Sequence, residues 1–139
     1  MAHVDNPNNA EMRELLNEVK TIAVIGLSAN ESKASHEVAK YLQQNGYKII
    51  PVNPGIDEVL GEKSYPDLKA IPESIDVVDV FRRSEFVPEV ADQAIAIGAK
   101  ILWLQLGVIN EESARKAREA GLTVIQDACM LQEHRKLLG

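Results

Sequence analysis

Cysteine is nearly missing from this 139-residue chain: Cys129 stands alone. No internal disulfide can form, and a reducing compartment, the cytoplasm, is the expected location. Aromatic residues make up only 4% of the sequence, so aliphatic side chains must build the core. No apolar run approaches the roughly 20 residues of a membrane-spanning helix. The opening stretch MAHVDNPNNAEMRELL is polar and lacks the apolar segment of a secretory signal. Positive charge is the minority: 15 Lys and Arg against 21 Asp and Glu give a net charge of −6. That balance argues against a general nucleic-acid surface, so an anionic ligand needs a local cationic pocket. The histidines, His3, His36 and His134, are scattered and show no zinc-ligand spacing.

What is present reads as one globular domain, 45% hydrophobic and 26% charged. Five short apolar runs rich in β-branched residues recur: TIAVIG (21–26), YKIIPV (47–52), IDVVDVF (75–81), KILWLQLG (100–107) and LTVIQD (122–127). Apolar residues on both faces of such runs predict strands covered on both sides, as in a parallel sheet. Helical patterns alternate with them. SHEVAKYLQQ stops at Gly46, SEFVPEVADQAIAI stops at Gly98, and NEESARKAREA opens on Asn110 as N-cap and stops at Gly121. NAEMRELLNEV before the first strand and MLQEHRKLL after the last complete the layers. The expectation is an α/β, Rossmann-like, doubly wound sheet of about five parallel strands with helices on both faces. Residues 1–20 would lead in through a helix, and 21–139 would form the ligand-binding domain. The Pro- and Gly-rich stretch 53–74 reads as an irregular crossover with one turn of helix.

In such sheets ligands bind beyond the C-terminal ends of the strands, where the strand order reverses. The turn after the first strand, GLSANESKAS, offers helix-start amides, the hydroxyls of Ser28, Ser32 and Ser35, and the charge of Lys33, which is a reasonable phosphate cradle. The standard fingerprints fail there. G-x-G-x-x-G needs glycines where Ser28 and Glu31 stand, and NAD sites want an acid where Asn53 ends the second strand. A Walker lysine is absent, and the G-x-S-x-G elbow would need glycine at Asn30.

The segments AVIGLSANESKASHEVAKYLQQNGYKIIPVNP, VLGEKSYPDL, IDVVDVFRRSEFVPEV and LWLQLGVINEESARKAREAGLTVIQDAC resemble the small stand-alone CoA-binding domain family. That family is related to the CoA-binding domain of the succinyl-CoA synthetase alpha subunit. The resemblance runs from about Thr21 to about His134, and the ordered set V-N-P, D-V-F-R, W-L-Q-x-G-V and D-x-C carries it. It implies a Rossmann-like protein that binds coenzyme A or an acyl-CoA, with no established reaction. Carried over by motif, Gly26, Ser28, Lys33 and Ser35 would surround the pyrophosphate, and Asn53 and Pro54 would flank the nucleotide. Phe81 and Arg82 would meet the adenine end and the 3′-phosphate. Gln105, Gly107 and Val108 would line the route towards pantetheine, and Cys129 would share that edge. Lysine stands at 33 where family members often carry arginine, which keeps the charge but loses the bidentate fork.

Each of these residues also has a plainer reading. Ser28 and Ser35 are equally suited to capping the helix, Phe81 to the core, and Asn53 to the turn before Pro54. Trp103 reads as packing, Cys129 as a small buried hydrophobe, and His36 as a helix residue. Two other functions stand beside CoA binding: an enzyme acting on acyl-CoA or using the Cys129 thiol, and an NAD(H)- or nucleotide-sensing module. No nucleic acid, membrane or metal is expected as a partner.

Overall fold

The computed structural model describes residues 5–139. His3 and the first residues of the polar opening stretch lie outside the described residues. Helix α1 (Asn9–Glu18) leads into strand β1 (Thr21–Ile25), helix α2 (Ala34–Gln44) and strand β2 (Lys48–Val52). The irregular crossover holds a small antiparallel hairpin, β3 (Glu58–Val59) and β4 (Glu62–Lys63), and a 3-10 turn at Leu68–Ala70. Then follow β5 (Val77–Val80), α3 (Val87–Ala96), β6 (Ile101–Leu104), α4 (Glu111–Glu119), β7 (Thr123–Ile125) and α5 (Met130–Leu137). The hairpin is the one element that the sequence pattern did not announce; its two-residue strands carry no periodicity to read.

The main sheet runs β2-β1-β5-β6-β7, every neighbouring pair parallel. This is the five-stranded Rossmann-like sheet expected from the alternation. Successive residues of each strand feed opposite layers. Ala23, Ile25, Val78, Val80, Leu102 and Leu104 pack with Val87, Val90 and Ala94 of α3 and with Ala114 and Ala117 of α4. Ile22, Val24, Val77, Ile101 and Trp103 pack with Leu16 of α1, Leu42 of α2 and Met130 of α5. Trp103 is fully buried, and its indole N–H donates to the Ala128 carbonyl at 2.8 Å, so packing is its role.

Local signals explain the helix ends. Asn8 and Glu11 form a reciprocal capping box on α1, and the Asn110 side chain accepts from the Ser113 amide at 3.0 Å. Pro88 falls in the first turn of α3, where its missing N–H is harmless. Because β2 and β5 flank β1 on opposite sides, the chain leaves β1 in one direction and returns on the other. The strand order therefore reverses between β1 and β5.

Candidate ligand cleft at the switch of strand order

Strands β1 and β5 end side by side at Gly26 and Phe81. Gly26 has φ +83, and a Cβ there would lie 2.7 Å from the Phe81 carbonyl oxygen. Only glycine permits both the left-handed backbone and this approach. Past the end of β1 the Gly26 amide still donates to Val52, and the Phe81 amide donates to Ile25, both at 2.9 Å. Beyond these ends opens a cleft of about 460 Å³. Ile25, Val52, Pro54 and Val90 give it apolar surface, while Arg82, Asp67, Glu89 and Gln93 give it polar surface.

Of the residues singled out in the sequence, Gly26, Asn53, Pro54 and Arg82 line this cleft. Arg82 is exposed and forms no ion pair among the described residues. Asn53 is committed to its turn: its Nδ2 donates to the Leu27 carbonyl at 3.0 Å, and its Oδ1 accepts from the Gly55 amide at 2.9 Å. Phe81 is half-buried and packs with the layer of α1, α2 and α5 instead of lining the cleft.

The turn between β1 and α2 is held by its own hydroxyls and amides. Ser28 Oγ accepts from the Asn30 amide at 3.0 Å, Asn30 Oδ1 accepts from both the amide and the hydroxyl of Ser32, and Ser35 Oγ accepts from the Ser28 amide at 3.0 Å. Neither Ser28 nor Ser35 caps α2. The N-cap position belongs to Lys33, whose side chain makes no cap bond, which corrects the capping reading of both serines. As the first helical residues, Ala34 and Ser35 have no intrahelical acceptor for their amides. With the exposed Lys33 ammonium beside them, they are what this turn can offer an anion.

The other half of the edge is arranged differently. Gln105 is buried, and its side-chain amide donates to Asp79 Oδ1 at 2.5 Å. The Gly107 amide donates to Asp127 Oδ1 at 2.7 Å, and the Val108 amide donates to the Gln105 carbonyl at 2.9 Å. Val108 is buried, whereas Leu106 is 56% exposed. Toward a ligand the Gln105–Val108 turn thus presents Leu106 and backbone rather than the Gln105 amide. Cys129 is half-buried at the N-cap position of α5, and no hydrogen bond ties its thiol to a base among the described residues.

Asp79 escaped the sequence reading. It is fully buried, and its Oδ2 has no hydrogen-bond partner. Burial pushes its pKa up to about 7, against the opposing pull of the Gln105 hydrogen bond. A signal for it existed: an acid inside an apolar run read as covered on both faces must be desolvated. Phe86, Asp67, Glu89 and Gln93 carried no such signal, because the turn into α3 brings Phe86 to Arg82 and Glu89 and Gln93 to the cleft, and the long crossover from β2 brings Asp67. Elsewhere, burial lowers the pKa of His134, whose Nδ1 meets the Tyr41 hydroxyl at 2.8 Å. No cluster of three metal-ligating side chains occurs among the described residues, and no helix is long and apolar enough to cross a membrane.

Comparison with known proteins bears on the family and the fold. The family model for a CoA binding domain matches residues 20–135. The uncharacterized protein YneT of Bacillus subtilis is 47% identical over 131 residues, covering 94% of this chain and 97% of that protein. Acetate--CoA ligase [ADP-forming] II of Archaeoglobus fulgidus is 34% identical over 100 residues, which is 70% of this chain but 15% of the ligase. A hypothetical protein from Pyrococcus horikoshii OT3 superposes along the full length of both chains with a TM-score of 0.93 and 40% identity.

Proposed function

The chain belongs to the CoA-binding domain family, and on that premise we propose that it binds coenzyme A or an acyl-CoA at the C-terminal edge of its sheet, as a binding protein rather than an enzyme. One observation supports this most: Arg82, without an acidic partner among the described residues, lines a cleft at the reversal of strand order. The pyrophosphate is assigned to Lys33 and the amides of Ala34 and Ser35, within the loop that Ser28 and Ser35 hold. The nucleotide enters the cleft past Gly26, Asn53 and Pro54, and its 3′-phosphate meets Arg82. Pantetheine runs along the backbone of Gln105, Gly107 and Val108 towards Cys129. The single cysteine agrees with a cytoplasmic setting. The ligase reaction is not part of this proposal, since the chain spans 15% of that relative.

Titration calorimetry with coenzyme A, NAD and ATP at one salt concentration tests the reading. Coenzyme A binds tightest if it holds. Dephospho-CoA binds about 10- to 100-fold more weakly than coenzyme A, the equivalent of a lost charge-assisted contact. Tighter NAD binding overturns the proposal in favour of a nucleotide sensor. That second reading has its own support: Asp67 and Glu89 line the cleft, and a carboxylate is the usual acceptor for a ribose diol.

A further inference from the structure

The side chain of Arg82 passes Gly26, where a Cβ would lie 3.5 Å from its Cγ, and its guanidinium stands 4.2 Å from the centre of the Phe86 ring. Arg83 stands 5.5 Å from the same ring and is paired with Glu85 at 3.1 Å. Arg82 has no such partner, although Asp67 and Glu89 line the cleft with it. An unrestrained arginine has every electrostatic reason to turn to such a carboxylate, because the bidentate pair is among the strongest polar contacts a protein makes. The aromatic face competes with that pairing by attracting the cation through its quadrupole while leaving the N–H edge free.

Phe86 is well placed to do this because the fold fixes it. It closes the 3-10 turn Ser84–Phe86, where its amide donates to the Arg83 carbonyl at 3.0 Å. Ser84 Oγ accepts from the Ile109 amide at 3.1 Å, which ties the turn to the neighbouring loop. The next residue, Val87, is fully buried. We propose that Phe86 is a positioning residue: its ring holds the Arg82 guanidinium off the carboxylates of the cleft and leaves its donors for a phosphomonoester on the bound ligand. The inference rests on the coenzyme A reading above and adds the device by which the cleft selects a phosphorylated nucleotide despite two acids in its lining.

The test compares coenzyme A with dephospho-CoA on wild type, Phe86→Leu and Phe86→Tyr, each alone and combined with Asp67→Asn and Glu89→Gln. Phe86→Leu should weaken coenzyme A about tenfold and dephospho-CoA by less than about twofold, while Phe86→Tyr, which keeps the ring, stays within about twofold of wild type. Removing the two carboxylates should shrink the Phe86→Leu loss to about threefold or less, since the acids in the cleft lining no longer compete for Arg82. Asn at 67 retains an acceptor for the Ala70 amide that Asp67 now caps at 3.0 Å. Phe86→Met serves if the leucine variant melts early. A Phe86→Leu protein that keeps the wild-type preference for coenzyme A, or loses equally with and without the acids, overturns the inference and leaves the coenzyme A reading standing. A wild type that does not bind coenzyme A overturns both.

Discussion

The two halves of the C-terminal sheet edge answer the same polar demands in opposite ways. On the β6–β7 side the loops spend their polar groups on each other. Gln105 goes to Asp79 and the Gly107 amide to Asp127, while the Gln126 side chain accepts from the Asn110 amide at 2.8 Å and donates to Glu111 at 3.2 Å. On the β1–β5 side Arg82 and Lys33 form no ion pair among the described residues, and the first amides of α2 have no intrahelical acceptor. A half whose loops bond largely to one another, with Asp79 Oδ2 left unpaired beneath them, sits beside a half that still has hydrogen bonds and charge to give. Exposed polar groups are normally hydrated, so in the proposed binding the gain would come from replacing that water with a better-placed anion.

Lys33→Ala gives the largest expected effect on binding, because it removes the cation beside the helix-start amides. Coenzyme A affinity should fall about 10- to 100-fold with little change in melting. A melting shift like that of a core variant, with affinity intact, would place Lys33 in the fold instead.

The glycines compare the two halves directly through stability. Gly26 and Gly107 have nearly the same φ, +83 and +80, but a Cβ meets the Phe81 carbonyl at the first and nothing within 4 Å at the second. Gly26→Ala should cost about 2–5 kcal/mol, combining left-handed strain with overpacking, whereas Gly107→Ala should cost about 1–2 kcal/mol. Urea denaturation measures both, and equal costs would remove the close approach of β1 and β5 as the reason for Gly26.

Asp79, on β5 and bonded to Gln105 of the β6–β7 side, makes the junction of the two halves sensitive to pH. Its pKa is raised in the folded protein, from 3.8 to about 7, so the unfolded chain releases that proton first as pH rises. Its contribution to stability is therefore full below about pH 4, declines through the interval to about pH 7, and stays lost above it. The span corresponds to about 4 kcal/mol. Asp79→Asn should be more stable than wild type at pH 8 and lose most of that advantage by pH 4.5. An advantage that is the same at both pH values would show that the acid does not titrate in this interval.

The smallest effect is expected at Leu106, exposed on the β6–β7 side. Leu106→Ser should change stability by no more than about 0.5 kcal/mol. Coenzyme A affinity should also hold within about twofold if the cleft and the α2 turn carry the binding energy. A larger loss, read by the same calorimetry, would show that the route assigned to pantetheine carries a substantial share of the binding energy.

The β-branched runs, the helix-stopping glycines and the N-cap at Asn110 are local features, each legible because it acts within a few residues of itself. Together they determined a parallel Rossmann-like sheet with helices on both faces, and the ordered motifs pointed to CoA. Strand ends can also be read from the chain, which puts Gly26, Asn53, Pro54 and Arg82 at the edge where the cleft opens; their proposed ligand roles came from the resemblance to the CoA-binding family. What the sequence could not decide was how each side chain is used. Gln105 looked available until β5 placed Asp79 beside it. Ser28 and Ser35 looked like caps until the turn folded so that one holds the other. Phe86 and Glu89 come to Arg82 through the turn into α3, and Asp67 through the long crossover from β2. Strand and helix formation follow from neighbours in the chain, but hydrogen-bond partners and charge placement follow from neighbours in space, and those exist only once the crossovers have closed around the switch between β1 and β5.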